Sequence, residues 1–205
     1  MEYAHKLPAG HQLGPYWVVE ALGTGASATV YRCVDEQDDE FAVKVRKRGV
    51  LSADRRFLRE YEAMRSLRLP GVVRVFEAGL EPDLIWFSME VVRGPTILQF
   101  IHRAKTPSRR VDFTLDLGQQ LLSILSSLHN AGFVHRDIKP SNVLVDEFGA
   151  VKVLDFGISR YFDSVTDYTD PGMVIGTVPY MAPEQFAGLP PNDRVDVYAS
   201  ALILY

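Results

Sequence analysis

Cys33 is the only cysteine among 205 residues, so no disulfide can form within the chain. The fold therefore needs no oxidising compartment, and a cytoplasmic setting is the expectation. Cys33 itself reads as a small buried strand residue rather than a reactive thiol. Charge of one sign is also missing. Lys and Arg number 22 against 26 Asp and Glu, a formal net charge of −4. That balance argues against a nucleic-acid partner held by bulk electrostatics. The basic runs Arg46-Lys47-Arg48, Arg55-Arg56 and Arg109-Arg110 read as solvated faces or loops. The first residues, "MEYAHKLPAGHQLGPYW", have neither the basic start nor the apolar run of a signal peptide. No stretch reaches the about 20 apolar residues of a membrane-spanning helix, and the tail Val197–Tyr205 falls well short of it. Internal repeats and low-complexity tracts are absent too.

What is present is an ordinary globular composition, 47% hydrophobic and 23% charged, with ample material for a core. Residues 16–22, 28–34 and 40–46 read as strands, the first two joined by a glycine-containing turn. From Ser52 to Leu67 the period changes: Phe57, Tyr61, Met64 and Leu67 recur at helical spacing, and Pro70-Gly71 ends the run. Two short strands are expected near 72–77 and 84–89. Past Gly94-Pro95 the chain turns helical. A long helix is expected from about Asp112 to Ala131, with Leu117, Leu121, Ile124, Leu125 and Leu128 on one face and a stop at Asn130-Ala131-Gly132. Short strands "NVLV" and "VKVL" flank the turn "DEFG", and a last helix begins near Asp193. The expected division is an extension at 1–15, a sheet with one helix at 16–92, and a mainly helical part at 93–205. A cleft between two such parts is a natural ligand site.

Several stretches carry chemistry. "LGTGASATV" (22–30) places glycines where backbone N–H groups could approach phosphates, although an ordinary hairpin reads the same way. Lys44 lies between apolar strand residues in "FAVKV". A phosphate-binding role requires a carboxylate partner, and Glu60 is favoured over Glu62 because it shares the core-facing side of its helix with Met64. "HRDIKPSNVLV" (135–145) gathers Asp137, Lys139 and Asn142 on a tight stretch between a helix and a strand. Asp137 could accept a proton, Lys139 could neutralise developing charge, and Asn142 could ligate a hard cation. A charged turn is the alternative. Asp155, in "VLDFGIS", ends an apolar strand and could share that cation with Asn142.

These motifs in this order, with "GTVPYMAPE" after them, resemble the protein kinases from about Tyr16 to Tyr205. The resemblance implies an α+β, two-lobed fold: a small β-sheet with one helix, then a mainly helical lobe that breaks off in its central helix. It implies ATP and Mg²⁺ (or Mn²⁺) as cofactors. Leu22, Gly23, Thr24, Gly25, Ala26, Ser27 and Ala28 would cover the phosphates. Val30, Ala42 and Leu144 would sandwich the adenine, with Met89, Glu90 and Val92 at its rear and hinge. Lys44, held by Glu60, would bind the α- and β-phosphates, and Asn142 and Asp155 the metal. Asp137 would orient the substrate hydroxyl, and Lys139 would steady the transferred group. Lys139 and Thr177 point to serine/threonine substrates on proteins. The wording "GTVPYMAPEQ" looks like bacterial members of the family. Arg136 resembles an arginine that binds a phosphorylated activation loop, here Thr169 or Thr166. Self-association for trans-autophosphorylation follows from that.

The pattern departs from the family in places. Ala28 stands where a third glycine is usual, and Lys44 and Glu60 are closer in sequence than expected. Kinases continue past "DVYASALILY", so the resemblance implies missing helices, an exposed apolar patch over Leu202–Tyr205, and poor solubility or weak activity of residues 1–205 alone. Any membrane anchor would lie in that further part. Asp196 would bond the backbone near His135 and Arg136. The competing readings are an impaired kinase-like fragment serving as a nucleotide-binding or interaction module, and a small-molecule phosphotransferase, against which "GTVPYMAPEQ" argues.

Overall fold

In a computed structural model the described residues are 7–25, 27–155, 178–190 and 192–205. The chain divides into two compact units. One comprises the residues up to Ser66 together with Arg74–Val91; the other comprises Leu67–Val73 and everything from Val92.

The first unit is built on a six-stranded sheet. Its strands are β1 (Gln12–Leu13), β2 (Tyr16–Thr24), β3 (Thr29–Val34), β4 (Glu40–Lys47), β5 (Val75–Leu80) and β6 (Leu84–Met89). The order across the sheet is β1-β2-β3-β4-β6-β5, and every pairing is antiparallel. Strand β1, within the stretch expected as an extension at 1–15, lies at the edge of the sheet. Alternation sorts the side chains. Tyr31, Cys33, Val43, Val45 and Trp86 enter one core with Leu13, Tyr16 and Val18. Burial pushes the Cys33 thiol pKa up to about 12. The Tyr16 hydroxyl is also raised, first by burial and then by its 2.6 Å hydrogen bond to Glu77.

Helix α1 (Leu51–Ser66) buries Ala53, Phe57, Glu60, Tyr61 and Met64, the face that its spacing predicts. Phe57 and Tyr61 stack near Phe87 of β6, at ring-centroid distances of 4.9 and 5.9 Å. The strand expected near 72–77 is two things. Val75–Leu80 pairs with β6, whereas Val73 belongs with the second unit: its N–H donates to Val153 O at 3.0 Å.

The second unit holds α2 (Ile97–His102), α3 (Pro107–Asn130), β7 (Val143–Val145), β8 (Val151–Val153), α4 (Pro183–Phe186) and α5 (Arg194–Leu204). Helix α3 starts earlier than expected. Thr106 caps it by accepting the Arg109 N–H at 3.3 Å, and Pro107 occupies its first turn. Leu117, Leu121, Ile124, Leu125 and Leu128 are all buried. Gly132 (φ +83°) terminates the helix, where a left-handed backbone favours glycine. The β7–β8 hairpin pairs Val143 with Val153 and Val145 with Val151. Gly71 (φ +82°) lies so close to Ile124 that a Cβ there would come within 2.3 Å of its side chain.

Candidate functional site

Register in the first unit gathers Lys44 with several of its expected companions. Lys44 opposes Val30 on β3 and Phe87 on β6, while Ala42 opposes Met89. In antiparallel pairs, opposed residues share a face, so Val30, Ala42, Lys44, Phe87 and Met89 lie together. This is the face covered by α1. Lys44 is 8% exposed, contrary to the usual outward-facing strand lysine, and its Nζ donates to Glu60 Oε1 at 2.7 Å. The Phe87 ring centroid is 5.7 Å from the same ammonium. A cation this buried needs such a partner, because low-dielectric surroundings penalise a lone charge.

The glycine segment is placed differently. Leu22, Gly23, Thr24, Gly25 and Ser27 are exposed, and Gly25 N–H closes the turn on Ala28 O at 2.8 Å. A Cβ at Gly23 would meet nothing within 4 Å. No packing among the described residues therefore requires glycine there. Ala26 lies outside the described residues. At the other end of the sheet, Glu90 is fixed by backbone and side chain together: its N–H donates to Arg74 O at 2.9 Å, and its Oε1 accepts the Arg74 N–H at 3.1 Å. Val92 opens the second stretch of the second unit.

In the second unit the loop after α3 is anchored from α5. Asp196, 1% exposed, accepts the N–H groups of His135 (2.8 Å) and Arg136 (2.7 Å), and the ring Nε2–H of His129 (2.8 Å). The backbone contacts were expected; the His129 bond was not. The partners of His135 fix its tautomer. Nε2–H donates to Leu154 O at 2.7 Å, and Nδ1 accepts the Asp137 N–H at 3.3 Å. Arg136 has φ +66°, a left-handed conformation that non-glycine residues adopt at a cost.

On this frame three expected residues converge. Lys139 Nζ donates to Asp137 Oδ2 at 2.7 Å. Asn142, on a single 3-10 turn at Pro140–Asn142, donates from Nδ2 to Asp137 O (2.9 Å) and Oδ2 (3.2 Å). The same nitrogen lies 3.5 Å from Asp155 O, where β8 has just ended. Leu144 is half-buried on β7, opposite Lys152. Asn142 Oδ1, which accepts the Ser141 hydroxyl at 3.4 Å, and the Asp155 carboxylate are the oxygen donors on this side of the group. An amide oxygen and a carboxylate suit Mg²⁺, which takes few protein ligands and keeps positions for phosphate and water. Among the described residues, no group of three or more His, Cys, Asp or Glu forms a dedicated metal cage. Thr166, Thr169 and Thr177 lie outside the described residues.

Two positions escaped the sequence reading. His129 sits in the last turn of α3, where an ordinary capping role hides its distant partner. Gln185 of α4 donates to Arg136 O at 3.2 Å. A glutamine next to "APE" gives no local sign of that bond.

The comparisons with known proteins point to one family. The family described as "Protein kinase domain" matches residues 16–205. Serine/threonine-protein kinase PrkC of Bacillus subtilis is 35% identical over 94% of this chain and 30% of its own length. Probable serine/threonine-protein kinase SCO3848 of Streptomyces coelicolor is 36% identical over 100% of this chain and 31% of its own. The chain thus spans about a third of the length of these curated relatives. The crystal structure of a point mutant of the Mycobacterium tuberculosis PknI kinase domain superposes with a TM-score of 0.72 at 28% identity, covering 97% of this chain and 75% of that one. Motif order, the fold of each unit and these likenesses lead to one conclusion: the chain belongs to the protein kinase family.

Proposed function

We propose that this protein transfers the γ-phosphoryl group of ATP to serine or threonine hydroxyls of protein substrates. The observation that supports this most is the triple contact of Asp137 with Lys139 and Asn142. A carboxylate held this way can receive a hydroxyl proton, and the ammonium beside it offsets charge gathering on the transferred group. Asn142 and Asp155 would hold Mg²⁺ (or Mn²⁺), which would supply positive charge to offset that of the phosphates. Lys44, kept in place by Glu60, contacts the α- and β-phosphates. Residues 22–28 cover the phosphates, and the exposed Gly23 keeps its backbone accessible. In the first unit Val30 and Ala42 are the residues assigned to the adenine face and Met89 and Glu90 to its edge; in the second, Leu144 and Val92 are assigned to those two roles in turn. The relatives' names support serine/threonine over tyrosine, and Thr177 with Lys139 is consistent with that.

Regulation follows from Arg136. A phosphate on Thr169, or second on Thr166, adds roughly −1.5 to −2 charge for this arginine to bind. Encounter of two copies delivers it in trans. The described helices include none long and apolar enough to cross a membrane. The catalytic part acts in the cytoplasm.

The test is phosphorylation of a protein substrate by the purified protein with ATP and Mg²⁺, beside Asp137→Asn. Loss of about a hundredfold in rate is expected in the variant. Equal transfer by both forms overturns the proposal. ATP binding without transfer by the parent selects the nucleotide-binding or interaction module instead.

A further inference from the structure

The amide plane that joins Arg136 to Asp137 is held at both ends. Its nitrogen, the Asp137 N–H, donates to His135 Nδ1 at 3.3 Å. Its oxygen, Arg136 O, accepts from Gln185 Nε2 at 3.2 Å. The preceding plane is pinned as well, through the Arg136 N–H on Asp196 Oδ1 at 2.7 Å. Such pinning matters here because Arg136 sits at φ +66°, a conformation its own residue type disfavours. Left to itself, the backbone would relax toward negative φ and swing the Cα of Asp137 with it. Asp196 and His135 restrain the nitrogens of these planes, and Gln185 restrains the Arg136 carbonyl.

The Gln185 side chain is a fork. Its Oε1 accepts the Ala182 N–H at 2.9 Å, while its own backbone N–H donates to Ala182 O at 2.9 Å. One tine thus belongs to α4 and the other to the loop that carries Asp137. Only an amide of this length can accept at one and donate at the other.

We infer that Gln185 is a positioning residue for Asp137, acting through the carbonyl of Arg136, and that it couples α4 to the loop that performs the chemistry. This rests on the kinase reading above. Gln185→Glu separates the two tines: the carboxylate still accepts from Ala182 and loses only the donor to Arg136. Gln185→Met keeps the length and removes both bonds without adding charge.

Both variants are to be made in the full-length protein. Two quantities are read: steady-state phosphorylation with ATP varied, and amide hydrogen exchange over residues 135–139. The expected result in both is a kcat lower by about five- to tenfold, the scale of one net hydrogen bond. KM for ATP stays within about twofold. Exchange at the Asp137 amide quickens. Three outcomes overturn the inference: parental kcat in either variant, a rise in KM at unchanged kcat, or a loss confined to Gln185→Met, which assigns the role to α4 instead. If the parent transfers no phosphate, the kinase reading fails. The exchange measurement still decides on Gln185, because unaltered protection in both variants refutes the coupling by itself.

Discussion

Lys44 and Glu60 form a buried ion pair whose worth to stability can be argued from its surroundings. Two charges this buried recover little net energy, because desolvation consumes most of their attraction. Removing one of them takes from the other its 2.7 Å counter-charge. Glu60→Met is therefore expected to lower unfolding stability by about 2–3 kcal/mol in urea titrations. Lys44→Met combined with Glu60→Met should recover most of that loss. A double variant less stable than the single would contradict the argument. Cys33 and Tyr16 give a pH signature in the same unit. Both are acids whose folded-state pKa is raised, so the folded chain holds its protons after the unfolded chain has released them. Their contribution is full below about pH 9 and is lost as pH climbs toward about 12. Melting temperature should fall as pH rises from about 9 toward about 12, and Cys33→Ala should flatten part of that slope. The thiol should also resist aromatic disulfide reagents until the sheet opens.

Among the described glycines, Gly94 meets the closest neighbour. A Cβ there would come within 1.8 Å of Val145 O, and backbone cannot rotate aside as a side chain can. The adjacent bond from Val145 N–H to Pro95 O, 2.9 Å, must then break or stretch. Gly94→Ala should cost about 1–3 kcal/mol by thermal or urea unfolding, more than a surface change of that size. The elements also show what a sequence can reveal. The alternation in β3 and the three-to-four spacing in α1 and α3 mark buried faces, because each pattern is the period of its own backbone. Glu60 could be chosen over Glu62 on that ground alone. Strand β1, two residues long, has too little length for a period and exists through its pairing with β2. Helix α2, at six residues, is too short to show one either. The first turn of α3 is polar and exposed, so its evidence is the Thr106-Pro107 cap rather than hydrophobicity. Residues 67–73 have no pattern because their partner, β8, lies far along the chain. The bonds of His129 to Asp196 and of Gln185 to Arg136 are hidden for the same reason. The motif residues Asp137, Lys139 and Asn142 were legible as a group, and their mutual hydrogen bonding follows from a turn too tight to keep them apart.

For the molecule as a whole, α5 is the surface that governs behaviour in solution. It buries Val195, Asp196, Ala199, Ser200 and Ile203. Val197, Tyr198 and Leu202 are 49%, 40% and 40% exposed on the same helix. An apolar patch of this kind promotes association. The 205-residue chain should show concentration-dependent self-association by light scattering, and Val197→Lys with Leu202→Lys should suppress it without touching Asp196. The division of the chain has another consequence. Because Leu67–Val73 interrupts the first unit but packs with the second, the polypeptide passes between them at three points rather than one. A chimera spliced once, after Val91, would bring a donor's 67–73 into a recipient's β8 and α3. Its glycine would then have to fit a foreign side chain where Ile124 stands against Gly71. Exchanging the sheet between relatives is therefore a problem of three seams, and the seven residues between the first two must stay with the recipient.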